Sequence, residues 1–275
     1  MDRPKRCPLM PKQLCQVVEN KIVAPGHWVL KLRSALIAKE ALPGQFIQIL
    51  CADGSHDPLL PRPFSFLDAQ AGHFTILYHV VGKGTELLSK IKKRDTLRVL
   101  GPLGNGFSMN TDPAETRLLV GGGVGIPPLY HLARTWVDKK VTAKKDIHVF
   151  LGARNKSLLL CEKDFAKLGV TLHLATDDGS KGQKGFVTEP FQKFLSSRVK
   201  SRVYTCGPTP MLKAVSALAL KYKVACEVSV EVPMACGFGA CLGCAVKVHD
   251  EKGQDRFAIA CTEGPVFQGS ELVWE

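Results

Sequence analysis

Between residues 15 and 100 the apolar positions come in short bursts rather than long stretches. Residues 15–18, 27–32, 44–50, 73–78 and 96–100 are rich in β-branched and aromatic side chains. The pairs Pro25-Gly26, Pro43-Gly44 and Ala71-Gly72 supply turns between them. Short strands at even spacing predict a small antiparallel barrel. One helix is predicted inside this region, over residues 86–91, with Thr85 as its N-cap.

After a link rich in Gly, Pro and Asn, from 101 to 113, the rhythm changes. Strands are predicted at 117–120, 147–152, 170–176 and 203–206. Helices are predicted at about 127–139, 161–168, 188–195 and 211–222. The first of these carries Pro in its opening turn. Strand-helix alternation implies a doubly wound parallel sheet with helices on both faces. From about residue 226 the alternation stops, and cysteine and glycine dominate. The expected organisation is α/β plus all-β in three segments: a barrel over 10–112, a nucleotide-type α/β domain over 113–225 and a cysteine-rich subdomain over 226–275. No repeat or low-complexity tract is found.

Composition narrows the class. The chain has 275 residues, 45% apolar and 23% charged, which is the profile of a globular protein with a sizeable core. No run of 18 apolar residues exists, and no apolar stretch follows the charged N-terminus, so neither a membrane span nor a secretory signal is expected. A cytoplasmic location follows as an expectation. The net charge of +12 fits a solvated basic surface or attraction of phosphate-bearing cofactors and an acidic partner. Lys and Arg are dispersed and no nucleic-acid motif accompanies them, so nucleic acid is not an expected partner.

Four of the ten cysteines crowd into one region. Cys236, Cys241 and Cys244 sit in a glycine-rich loop, and Cys261 follows after sixteen residues. The x4, x2 spacing is the ligand order of plant-type [2Fe–2S] sites. Gly237, Gly239 and Gly243 are expected to supply positive φ and close approach. A hairpin, 245–248 out and 257–260 back, should return the chain to Cys261. Zinc is the rival, although a four-cysteine zinc site usually pairs two short knuckles.

Three further motifs suggest nucleotide chemistry. Gly121-Gly122-Gly123-Val124-Gly125-Ile126-Pro127-Pro128 joins a strand to a helix, where backbone can approach a pyrophosphate. Cys206-Gly207-Pro208 does the same later, at the same edge of a parallel sheet. Cys206 reads either as a neighbour of a nicotinamide ring or as core. Arg62-Pro63-Phe64-Ser65, read as lying between two barrel strands, offers a cation for a diphosphate and a hydroxyl for a flavin edge. Alone it is equally a turn with a surface arginine. Tyr78-His79-Val80-Val81-Gly82-Lys83-Gly84-Thr85 leads into a glycine turn before the helix. Tyr78 can pack on a ring or be half-buried, and Lys83 can pair with phosphate or be solvated.

Taken in order, these motifs resemble the ferredoxin reductase superfamily over nearly the whole chain. The wording 231–244, with Cys261-Thr262-Glu263-Gly264-Pro265-Val266-Phe267, resembles the electron-transfer subunits of type B dihydroorotate dehydrogenase. Asp177-Asp178-Gly179-Ser180 and Lys184-Gly185-Phe186-Val187-Thr188 are similar to the same family.

The resemblance implies a six-stranded FAD-binding barrel, an NAD-binding domain and a [2Fe–2S] subdomain. It implies FAD held by Arg62, Pro63, Phe64 and Ser65, with Leu77, Tyr78, His79, Val80, Gly84 and Thr85. It implies NAD at Gly122, Gly123, Gly125, Cys206, Gly207 and Pro208, and iron on Cys236, Cys241, Cys244 and Cys261. Phe64 departs from the superfamily's usual tyrosine, so a hydroxyl contact is missing. No residue of the chain is expected to act as acid or base. The implied partner is an FMN-containing dihydroorotate-oxidising catalytic subunit, in a heterotetramer of two plus two. Electrons would pass from that FMN through the cluster and FAD to NAD⁺. The alternative is a subunit of another NAD(P)H:ferredoxin or sulfide dehydrogenase-type reductase.

Overall fold

The computed structural model describes residues 13–52, 57–109, 112 and 114–274. The charged N-terminal stretch and the expected segment starts at 10 and 113 lie outside those residues. By contact the chain forms two compact units: 1–106 with 232–246 and 257–265, and 107–231 with 247–256 and 266–275.

The first unit is built on a closed barrel. Its strands are β1 (Gln13–Ala24), β2 (His27–Arg33), β3 (Phe46–Leu50), β4 (Arg62–Gln70), β5 (His73–His79) and β6 (Thr96–Leu103), in the order β1-β2-β5-β4-β3-β6. All six pairings are antiparallel. Alternation drives the closure, because every second residue points inward. Ile47 and Ile49 of β3 join Val17, Leu30, Phe66, Phe74 and Ile76 in the buried core. Phe66 and Phe74 meet edge to face at 5.8 Å.

Arg62-Pro63-Phe64-Ser65 does not lie between strands: it opens β4, pairing antiparallel with β3. The proline at the strand's second position hid the strand from pattern reading. A short helix, α1 (Ala35–Glu40), also escaped prediction; its N-cap Ser34 accepts a bond from Ile37 N. The helix α2 spans Lys83–Lys90, earlier than expected. Thr85 is therefore not its N-cap but its third residue. Its hydroxyl reaches back to accept from Val81 N and Gly82 N at 3.0 and 3.2 Å.

The second unit carries a seven-stranded sheet. Its strands are β7 (Thr116–Gly122), β8 (Ile147–Ala153), β9 (Thr171–Thr176), β10 (Gln183–Lys184), β11 (Ser201–Cys206), β12 (Ala225–Ser229) and β15 (Val266–Gln268). The order β10-β9-β8-β7-β11-β12-β15 reverses direction at β7, as in a doubly wound fold. The sheet is parallel except at one edge, where β15 runs antiparallel to β12. Helices α3 (Ile126–Asp138), α4 (Glu162–Leu168), α5 (Thr188–Leu195) and α6 (Thr209–Lys221) alternate with the strands. α3 packs on α4 and α5 on α6, as right-handed crossovers require on either side of the reversal. The expected hairpin is present as β13 (Ala245–His249) and β14 (Asp255–Ile259).

Candidate functional site

The cysteine loop packs within the first unit. Residues 235–244 carry no helix or strand, and the backbone turns sharply at Gly237 and Gly239, with φ of 78° and 86°. A Cβ at Gly239 would stand 2.8 Å from Thr262 Cγ2, so only glycine fits. Gly243 differs from expectation. Its φ is not positive and a Cβ would meet only Cys241 Sγ, at 3.7 Å; Leu242 takes the left-handed conformation instead.

The expected ligands come together as two pairs. Cys241 N donates to Cys236 Sγ at 3.4 Å, and Cys261 N donates to Cys244 Sγ at 3.4 Å. Gly239 N adds a third donor, to Cys261 Sγ at 3.1 Å. Among the described residues no three His, Cys, Asp or Glu side chains converge to hold one metal ion. Paired thiols suit a two-iron cluster, in which each iron takes two of them. The backbone N–H groups aimed at sulfur are what an anionic cluster requires. They also explain the thiol electrostatics at Cys236: burial pushes its pKa up, but N–H donors from Phe238, Cys241 and Ala240 outweigh it and bring the pKa down. Cys261 is pushed up by burial and by neighbouring Cys244. Cys244 and Cys261 are buried while Cys241 is exposed, so the site has one open side, flanked by exposed Phe238 and Leu242.

Asn105, just beyond β6, holds the Cys261 turn. Its Nδ2 donates to Thr262 O at 3.0 Å and Glu263 O at 2.9 Å, and its N donates to Gly264 O. Sequence reasoning missed Asn105, which sits in a loop with no recognisable motif.

Arg62, Gly84 and Thr85 also come together in the first unit. A Cβ at Gly84 would stand 3.3 Å from Arg62 Nε, so the guanidinium lies directly on the start of α2. Arg62 Nη1 is held by Leu60 O at 2.7 Å and Pro61 O at 3.3 Å. A fixed cation beside helix N–H groups fits a pyrophosphate. Lys83 is ion-paired with Asp57 instead of open to solvent alone. Ser65 pairs with Phe46 across β4 and β3. Phe64 turns toward the barrel core and meets Tyr78 edge-on at 5.9 Å.

Tyr78 is only 2% exposed, and its hydroxyl donates to Asn20 Oδ1 at 3.1 Å. Its ring is spent in the core, and any cofactor contact there falls to the backbone. Leu77 is likewise buried. His79 is exposed and stacks on His27 at 4.3 Å, and Val80 N donates to Gly26 O.

In the second unit the two glycine turns meet at the carboxyl ends of neighbouring strands. Cys206 of β11 pairs with Gly121 of β7. A Cβ at Gly125 would lie 2.4 Å from Gly207 N and 2.5 Å from Cys206 C. Gly207 has φ of 155°, and a Cβ there would meet Met211 Cε at 2.6 Å and Gly122 O at 3.1 Å. Gly122 faces Met211 and Pro208, whereas Gly123 faces open space. Backbone packed this closely, at the carboxyl ends of neighbouring parallel strands, lies where dinucleotides bind in doubly wound sheets. Cys206 is buried, and that burial pushes its thiol up to about 12.

A family model described as the iron-sulfur cluster binding domain of dihydroorotate dehydrogenase B matches residues 231–273, and one described as an oxidoreductase NAD-binding domain matches 119–217. The chain is 40% identical over 262 residues to a protein of Desulforamulus reducens named dihydroorotate dehydrogenase B (NAD(+)), electron transfer subunit, covering 94% of this chain and 97% of that one. A Geobacillus kaustophilus protein of the same name is 40% identical over 260 residues, covering 94% and 96%. Among solved structures, one described as the NADH-dependent reduced ferredoxin-NADP oxidoreductase, studied for flavin-based electron bifurcation, superposes with a TM-score of 0.82 at 33% identity, covering 96% of this chain and 91% of that one. A Neisseria gonorrhoeae ferredoxin NADP+ reductase with bound FAD and NADP shares the fold at 16% identity and a TM-score of 0.64, covering 77% and 91%.

Proposed function

The chain belongs to the family of dihydroorotate dehydrogenase B electron transfer subunits, and from that premise we propose that it carries electrons from the FMN of a dihydroorotate-oxidising catalytic subunit to NAD⁺ in pyrimidine biosynthesis. Its cofactors are FAD, [2Fe–2S] and NAD. When bound, they supply single-electron exchange at iron, hydride exchange at nicotinamide and both kinds at flavin. The chain's own residues position these groups. In this reading Cys236, Cys241, Cys244 and Cys261 hold iron. Arg62, Gly84 and Thr85 hold the FAD pyrophosphate, with Pro63, Phe64, Ser65 and the backbone of 77–80 along the flavin. Gly122, Gly123, Gly125, Gly207 and Pro208 take the dinucleotide, with Cys206 setting the turn from beneath. The functional segments are 10–112, 113–225 and 226–275. Free thiolates for iron fit a reducing compartment, the cytoplasm.

The observation that carries this reading is that the cysteine loop packs on the flavin barrel itself, with Gly237 against Gln48 of β3 and Asn105 fastening the Cys261 turn. Electron transfer needs such proximity. The test is co-expression with the FMN-bearing catalytic subunit. A two-plus-two complex should form that reduces NAD⁺ on addition of dihydroorotate. The 33% identical oxidoreductase favours a second reading, service to a ferredoxin-type partner. Ferredoxin-linked turnover with no complex and no response to dihydroorotate would select that reading and overturn the first.

A further inference from the structure

β3 reads Phe46-Ile47-Gln48-Ile49-Leu50, and one residue breaks its apolar run. Gln48 is 1% exposed. Ile47 and Ile49 point into the barrel core, so strand alternation sends Gln48 to the outer face. There it stands opposite Pro63 of β4 and Leu100 of β6. Gly237 covers it, close enough that a Cβ would lie 2.7 Å from Gln48 Cγ and 2.8 Å from Nε2. The amide is thus enclosed between the strand that opens Arg62-Pro63-Phe64-Ser65 and the loop that carries Cys236.

Neither amide atom of Gln48 has a hydrogen-bond partner among the described residues. A buried amide without a partner is destabilising. Leucine or methionine would fill the same space without that cost. An acceptor bound beside Gly237 would satisfy the amide. Of the two groups flanking it, the iron site is the better match. The amide end reaches the residue next to Cys236, and sulfur ligated to iron is an anionic acceptor for an N–H donor.

We propose that Gln48 is a positioning residue for electron transfer: its side-chain N–H donates to a sulfide of the iron–sulfur cluster beside Gly237, and so raises the potential at which that cluster accepts an electron. Donors to cluster sulfur stabilise the reduced, more negative state. The inference rests on the cluster reading of the four cysteines.

The experiment is an EPR-monitored redox titration of the full chain with its cofactors, wild type against Gln48→Leu. Iron, sulfide and flavin contents should stay equal. The ratio of reduced to oxidised cluster at a fixed potential should fall roughly tenfold, a shift of about 59 mV for one electron. The flavin midpoint should not move. An unchanged cluster midpoint, or a shift confined to flavin, would overturn the proposal. A second measurement needs no variant. In wild-type protein labelled with ¹⁵N at glutamine side-chain amides, pulsed EPR of the reduced cluster should show a ¹⁵N coupling, and absence of that coupling overturns the proposal even if Gln48→Leu fails to assemble. Wild-type protein without iron or a cluster signal would instead refute the cluster reading itself.

Discussion

Substituting Gly125 by alanine separates a nucleotide-binding role for the paired glycine turns from simple tolerance of small residues. Gly125 has φ of −80°, so alanine meets no backbone strain there. The obstacle is space. The new methyl would sit 2.4 Å from Gly207 N and 2.5 Å from both Cys206 C and Cys206 O. Ordinary contact distances are about 3.5–4.0 Å, so the intrusion is about 1 Å or more. All three obstructing atoms are backbone, and no rotamer relieves them. β11 cannot retreat easily, because Cys206 is paired with Gly121 on one side and Ser229 on the other. The first turn of α3 must therefore shift by roughly 1 Å, at a cost of about 1–3 kcal/mol in stability. A displacement of that size in a positioning element costs up to about 100-fold in rate. The assay is stopped-flow bleaching of bound FAD by NADH, read as a second-order rate constant. Gly125→Ala should lower it by about 100-fold while iron content stays at the wild-type level. Gly253→Ala, in the turn between β13 and β14, is the control: nothing lies within 4 Å of its Cβ, and only the left-handed φ of 76° is unfavourable, by about 1–2 kcal/mol. It should slow the reaction far less. Equal rates for Gly125→Ala and wild type, or equal losses in both variants, would refute the reasoning.

Two further outcomes follow from the same geometry. Gly237→Ala should deplete iron, because the methyl strikes Gln48 at 2.7 Å in a residue already at φ of 78°, whereas Gly243→Ala, with only a 3.7 Å neighbour, should retain iron and its EPR signal. Burial, reinforced by Arg134 and Lys139, lowers the pKa of His131 to about 4. The unfolded chain then takes up a proton near pH 6.5 while the native state does not. The stability linked to His131 is thus intact above that pH and lost as pH falls from 6.5 toward 4. Urea unfolding at pH 7 and pH 5 should show a loss about 2 kcal/mol larger in wild type than in His131→Leu.

The barrel and the doubly wound sheet were legible because their strands carry alternation and their turns carry Gly and Pro. β4 was not, since Pro63 broke its pattern just where the flavin motif begins. β15 was hidden for another reason: three residues are too few for a period, and only its antiparallel pairing with β12 defines it. Of the site, the cysteine spacing was readable because covalent chemistry fixes it. The two-pair arrangement was not, because it depends on where Gly239 N and Cys261 N point. The Tyr78 hydroxyl bond was not readable either, since its acceptor Asn20 lies 58 residues away. Gln48 was overlooked because one polar residue within a strand says nothing until Gly237 is seen against it.

The central claim, that electrons reach FAD and NAD⁺ by way of the four-cysteine site, is tested most directly with Cys241→Ser in the complex with the catalytic subunit. Two rates are measured on one preparation: FAD reduction by NADH, and NAD⁺ reduction driven by dihydroorotate. The account predicts that the first survives and the second is abolished. NAD⁺ reduction by dihydroorotate at the wild-type rate, in protein shown to lack the cluster, would contradict it.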